Sequence, residues 1–229
     1  MNADMRDPSP SPAYRPTVAE VAGILRPHAN LYRVVPPVYQ TQLLASLAEV
    51  WDPRHRSLLD IGGGTGILAE AMRLVFKLDR VVSVDVEDRF APGLGIAVAT
   101  FDGRTLPFAD ASFDAVVLNN VLHHVARADR IPLLRECRRV SRNPVYIKDH
   151  LARGMLDRFR LALLDIMGNV PFAGMLRASY LTRSDWQDLA AALGLTIVAE
   201  NTGRYRSGLF SQLFPNRLEV TIRWMPRPT

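Results

Sequence analysis

Leu58-Leu59-Asp60-Ile61-Gly62-Gly63-Gly64-Thr65-Gly66 is the stretch that decides the fold. An apolar run of strand length, Ser57 to Ile61, meets four glycines, and a helical pattern from Ile67 to Leu78 follows. Glycine is needed where backbone turns tightly and a ligand approaches it with no Cβ in the way. Two patterns compete for the loop. A dinucleotide fingerprint, G-x-G-x-x-G, sets a pyrophosphate on the next helix N-terminus, and Gly64, Gly66 and Ala69 can be fitted to it. D-x-G-x-G-x-G, from Asp60 to Gly66, fits better. A carboxylate at Asp60 is unwelcome beside pyrophosphate but suits a ligand carrying an ammonium and a sulfonium. The sign of that charge favours S-adenosylmethionine over NAD.

Working outward, the next apolar run, Arg80 to Val84, ends in Asp85. An acid at a second strand's carboxyl end, about 20 residues past the glycine turn, can accept both ribose hydroxyls; Glu87 is the fallback. Gly95 to Thr100 reads as a third strand ending at Phe101-Asp102-Gly103, where Asp102 can accept from an adenine amino group and a neighbouring N–H can donate to the ring. Further runs stand at Asp114 to Leu118 and Pro144 to Ile147, with helical segments at Ile67 to Leu78 and Asp129 to Arg142. Continuous Val/Leu/Ile strands alternating with helices imply parallel βαβ units.

From Asp102 the chain continues Gly103-Arg104-Thr105-Leu106-Pro107-Phe108-Ala109-Asp110-Ala111-Ser112-Phe113-Asp114, then Val116 to Val125 with His123-His124. This resembles the class I methyltransferase family, its type 11 branch in particular, which has a similar D-x-x-x-L-P-F-x-D-x-S-F-D run and a V-L-H-H-V-like segment. The resemblance spans about Leu58 to Val140. It implies a Rossmann-like α/β fold with a seven-stranded, mostly parallel sheet flanked by helices. It implies that Asp60 and Gly62, Gly63, Gly64 and Gly66 meet the methionine end of the cofactor, Asp85 the ribose, and Asp102 with Gly103 the adenine. Asn119 is placed between cofactor and acceptor. The chain departs from the family at Ser141-Arg142-Asn143-Pro144, where a P-G-G turn usually stands.

The rest of the sequence bounds the partner. At 229 residues and 48% hydrophobic, the chain suits one α/β domain over 17–229. Residues 1–16, with four prolines, read as disordered. Residues 17–51 read as a helical cap, opened by Thr17 as N-cap with Glu20 completing a capping box. Residues 151–182 read as an inserted cap whose helix, Gly154 to Gly168, carries an apolar stripe expected to face the core and able to roof a ligand cleft. A later helix is expected to start from Ser184 and stop at Gly194. Strands are expected at Leu195 to Ala199 and Arg217 to Trp224, joined by a loop. No signal peptide or membrane span is evident, so the cytoplasm is the expected location. One cysteine, Cys137, argues against a disulfide framework, and no metal site is expected. The net charge of +5 is scattered, and the one dense run, Arg135, Arg138, Arg139 and Arg142, reads as a solvated helix face. Nucleic acid is disfavoured further because Asn119-Asn120-Val121-Leu122 lacks the prolines and aromatic of an N-P-P-Y motif.

Methyl transfer from a sulfonium is an in-line displacement, and a base is needed only when the nucleophile arrives protonated. Candidate bases are His150, Asp149, His124 and His123, at the ends of the fourth and fifth strands. Tyr32, Tyr39, Asp165 and Asn169 are the expected acceptor contacts, with Phe172 nearby. The expected function is S-adenosylmethionine-dependent methylation of an O, N or C nucleophile on a small metabolite, with S-adenosylhomocysteine as product. The alternatives are a lipid or quinone precursor as acceptor, or a non-catalytic assembly protein that keeps the fold and the cofactor.

Overall fold

The computed structural model describes residues 14–142, 144–169 and 178–227, without the side chains of 168 and 169. Most of the stretch expected to be disordered, and Phe172, lie outside the described residues. Tyr14 and Arg15 are described, and they bond Glu20 and Glu49 at 2.9 and 2.7 Å.

Seven strands alternate with helices: α1 (Val18–Leu25), α2 (Val38–Ala48), β1 (Ser57–Ile61), α3 (Ile67–Val75), β2 (Arg80–Asp85), β3 (Ala97–Thr100), β4 (Ala115–Asn119), α4 (Arg127–Val140), β5 (Val145–His150), α5 (Met155–Asn169), α6 (Arg183–Ala192), β6 (Leu195–Asn201), α7 (Gly208–Leu213) and β7 (Glu219–Pro226). They form one sheet in the order β3-β2-β1-β4-β5-β7-β6. The first five strands pair in parallel, whereas β7 runs antiparallel between β5 and β6. The order reverses at β1, flanked by β2 and β4, which is where an open α/β sheet forms a ligand crevice at its carboxyl edge.

Both faces of the sheet are covered. On one, Leu58, Val81, Val117 and Tyr146 pack with Val21, Leu25, Leu44 and Met72 of α1, α2 and α3. On the other, Leu59, Val82, Val116 and Ile147 pack with Leu134 and Cys137 of α4 and Trp186 of α6. Burial on both sides explains the uninterrupted apolar strands.

Local chemistry sets the ends of the elements. Thr17 caps α1 in the expected box with Glu20. Helix α6 starts one cap earlier than expected: Thr182, not Ser184, accepts from Asp185 N–H and closes a second box. The expected break after Ile147 is also corrected. β5 runs on through Lys148-Asp149-His150 because β7 pairs with all three, opposite Thr221, Val220 and Glu219. The expected loop before β7 carries the short helix α7. The arginines at the end of α4 and just past it are largely consumed locally: Arg139 binds Glu136 and Asp110, Arg138 donates to Leu193 C=O, and Arg142, beyond the helix, binds Asp114.

The largest correction concerns α5. Its apolar stripe does not face the core. Met155, Leu156, Phe159, Leu163, Ile166 and Met167 are exposed, and Asp157, Leu161 and Asp165 face inward.

Candidate functional site

At the carboxyl edge of β1, β2 and β4 lies a cleft of about 290 Å³. The glycine loop forms its floor. Gly62 and Gly63 N–H both reach Val84 C=O, at 2.7 and 3.1 Å, which ties the loop to β2. Gly62 adopts φ +69°, and a Cβ there would lie 2.7 Å from Val121 Cγ2. At Gly63 a Cβ would fall 1.9 Å from Ser83 Oγ and 2.3 Å from Asp60 Oδ2. No heavy atom stands within 4 Å of a Cβ built on Gly64, so this backbone faces open cleft. Gly66 is buried as the N-cap of α3 and serves the turn from behind.

The acids divide by position. Asp85 lines the cleft, and its Oδ2 accepts from Gly64 N–H at 2.7 Å. Asp60 is buried one layer below, where Ser83 Oγ donates to it at 2.8 Å. Burial pushes its carboxyl up to about 7; the Ser83 bond opposes that shift and the Asp85 charge adds to it. Asp102 is exposed and does not line the cleft. Its Oδ1 accepts from Arg104 and Thr105 N–H at 2.8 and 2.7 Å, and those bonds hold its carboxyl low. Its neighbours Phe101 and Gly103 line the cleft in its place.

Asn119, at the end of β4, faces the cleft, and its Oδ1 is buried with no hydrogen-bond partner among the described residues. An orphaned acceptor, open glycine backbone and acids above and below suit a cationic nucleoside. The residues therefore fit the cofactor that the loop pattern implies.

Part of the cleft lining is polar. Tyr32 and Tyr39 line it, with Gln40, Asn120 and His124. Asn120 takes φ +56°, a strained position that asparagine tolerates better than most residues. Its Oδ1 accepts from Lys148 Nζ at 3.0 Å, which fixes the amide so that Nδ2 donates to Tyr39 Oη at 2.6 Å. Lys148 Nζ also donates to Tyr39 and pairs with Glu219 at 2.8 Å. Glu219 in turn binds Arg206 and Tyr205. Burial pushes Tyr39 well above its ordinary value, and the Glu219 charge adds to this. Asn120 lines the cleft and Lys148 is buried against Asn120 and Tyr39; neither was among the expected site residues. The signal for Asn120 is a non-glycine turn straight after a strand.

Three of the expected bases do not line the cleft; His124 does. His123, Asp149 and His150 are buried behind it in a polar cluster with Asp165 and Tyr180. Asp149 accepts from Leu122 and His150 N–H at 3.0 and 2.6 Å and lies 2.5 Å from His123 Nδ1. Burial opposes its charge, but the histidines and these bonds outweigh it and hold the carboxyl well below the carboxylate range. Asp165, expected at the acceptor, instead accepts from Tyr180 at 2.6 Å and lies 3.0 Å from His150 Nε2. None of the described α5 side chains lines the cleft, and that of Asn169 lies outside the described residues. His123, His124 and Asp165 bring one ligand atom each within 4.8 Å of one another, a grouping the sequence did not suggest.

Residues 59–146 match the family model described as a methyltransferase domain, type 11. No curated protein matches the sequence. Among solved structures, a SAM-dependent methyltransferase of Thermotoga maritima, a candidate histamine N-methyltransferase, is 19% identical, with a TM-score of 0.60 over 90% of this chain and 99% of that one. A Haloferax volcanii chain, from the complex of the Trm112 methyltransferase activator with a protein assigned as a methyltransferase, is 14% identical, with a TM-score of 0.60 over 91% and 95%. Magnesium protoporphyrin IX methyltransferase of Synechocystis, solved with bound S-adenosylhomocysteine, is 14% identical, with a TM-score of 0.57 over 87% and 88%. At these identities the similarity speaks for the fold.

Proposed function

The chain belongs to the class I S-adenosylmethionine-dependent methyltransferases, in their type 11 branch, and on that premise we propose that its acceptor is a small organic molecule methylated at O, N or C. The cleft carries this reading. Glycine backbone, the polar groups of Tyr32, Tyr39 and Asn120, and the apolar side chains of Leu43, Ile61 and Val121 line it together. Aromatic and apolar lining with a few polar groups suits a small, partly apolar organic acceptor.

S-adenosylmethionine supplies the methyl group on a sulfonium. Asp85 accepts from the ribose hydroxyls. The Phe101 ring and Gly103 backbone hold the adenine, and Asp102 braces their turn. Asn119 Oδ1 takes the ammonium, with the Asp60 charge beneath it. Leu43, Ile61 and Val121 exclude water from the line of transfer, which an in-line displacement needs more than it needs a base. Tyr39 and Asn120 orient the acceptor. Where the nucleophile carries a proton, His124 takes it, and the Asp149, His123 and His150 cluster positions the segment that bears His124.

Equilibrium dialysis of the purified protein against labelled S-adenosylmethionine, followed by transfer assays on a panel of small acceptors, tests this. Uptake with transfer to a small acceptor is expected. No uptake of the cofactor or its demethylated product would remove the reading, and uptake without transfer across the panel would leave a cofactor-bound assembly protein.

A further inference from the structure

An amphipathic helix on a globular domain normally turns its apolar stripe to the core; α5 is built the other way round. At about 100° per residue, Met155, Leu156, Phe159, Leu163, Ile166 and Met167 share one arc of roughly 120°. These six side chains are between 38% and 88% exposed. The opposite arc carries Asp157, Leu161 and Asp165, all buried. Ionic and hydrogen-bonded latches hold it there: Asp157 pairs with Arg217 at 2.5 and 2.9 Å, and Asp165 engages His150 and Tyr180. With its polar face fastened inward, the helix cannot roll to bury its stripe.

The chain just past α7 packs near α5, since Phe214 and Leu218 share a cluster with Leu161, and α7 exposes Leu209, Phe210 and Leu213. The charges of this surface are of one sign. Between 151 and 169 the only acids are Asp157 and Asp165, both turned inward, against Arg153, Arg158 and Arg160. Between 202 and 218 there is no acid, and Arg204 is exposed, while Arg206 is buried on Glu219 and Arg217 is spent on Asp157. On the helical wheel Arg158 and Arg160 flank the apolar arc on either side, Arg158 exposed and Arg160 part-buried 3.5 Å from Asp157.

We propose that α5, helped by the exposed apolar side chains of α7, docks this protein on a bilayer surface rich in anionic phospholipid. The apolar arc sinks below the headgroups while the flanking arginines meet phosphates, and the 15-residue helix lies in the plane over roughly 22 Å. Six exposed apolar side chains exclude nucleic acid as the occupant. Arginine margins without an exposed acid favour anionic lipid over a protein groove. This surface is separate from the methyl-transfer cleft, and its existence does not depend on that reading.

Co-sedimentation of the full chain with vesicles of phosphatidylcholine alone, and of phosphatidylcholine mixed with phosphatidylglycerol, tests the proposal. The protein is expected to pellet with the mixed vesicles, to be released by salt, and to stay in the supernatant with phosphatidylcholine alone. The double variant Met155→Ser/Phe159→Ser, at two exposed positions, is expected to lose partitioning about tenfold or more, with an unchanged circular dichroism melt. A Trp at Phe159→Trp is expected to shift its emission to the blue with the mixed vesicles only. Absence of pelleting, equal pelleting of the double variant, or a dimer by light scattering that the double variant makes monomeric would each overturn it; the last would name a second copy as the occupant. S-adenosylhomocysteine calorimetry on the same samples bears on the methyl-transfer reading alone.

Discussion

With burial pushing its carboxyl up to about 7, Asp60 stands near half-protonated in neutral solution when no cation is close. A bound ammonium lowers that value, so binding releases a proton and affinity climbs as pH rises through 7. Calorimetry of S-adenosylhomocysteine between about pH 6 and 8 is expected to show this rise, and Asp60→Asn to flatten it. Without ligand the same shift makes the fold less stable as pH climbs from about 4 to 7, because the unfolded carboxyl ionises first. Asp85→Ala is expected to weaken the cofactor by about 1–3 kcal/mol, since it leaves hydroxyls and Gly64 N–H unpaired; unchanged affinity would detach Asp85 from the ribose. His124→Ala is expected to lower turnover about 100-fold or more with cofactor affinity kept, if the nucleophile arrives protonated. The sequence marked Asp60 and Asp85 through their distance from the glycines. It could not show that Asp102 faces solvent, because two bonds to its own turn, not the strand pattern, set that side chain.

Among the elements, the β1–loop–α3 unit was legible because every position there answers to local steric need. Gly63→Ala is expected to cost about 1–3 kcal/mol by urea denaturation, since the new methyl would press on Ser83 and Asp60, which are bonded to one another. Elements whose placement rests on distant partners were not legible. The polar tail of β5 looks like loop until β7 supplies its ladder. The stripe of α5 has helical spacing whichever way it faces. Only Arg217, His150 and Tyr180, far apart in sequence, decide that the acids go inside. Periodicity carries no information about which arc wins.

Across the whole molecule, Glu219 ties the last strand to the fifth. Burial opposes its charge, but Lys148 and Arg206 outweigh that and bring the carboxyl down to about 2, below its ordinary 4.5. The stability this contributes is in place above about pH 4.5 and drains away as pH falls towards 2. Glu219→Gln is expected to destabilise the protein by about 3–5 kcal/mol in chemical denaturation, because two buried cations lose their counter-charge, and to erase most of that acid-side slope. The position of β7 also has a consequence for synthesis. β5 leaves the ribosome well before the strand that covers its outer edge, and until β7 emerges the Lys148 ammonium has no carboxylate and β6 has no neighbour. A nascent chain halted between α5 and β7 therefore carries a bare strand edge beside unneutralised charge, the state in which chaperones find their clients. Arrest at that length should leave the chain open to protease, and release through β7 should close it.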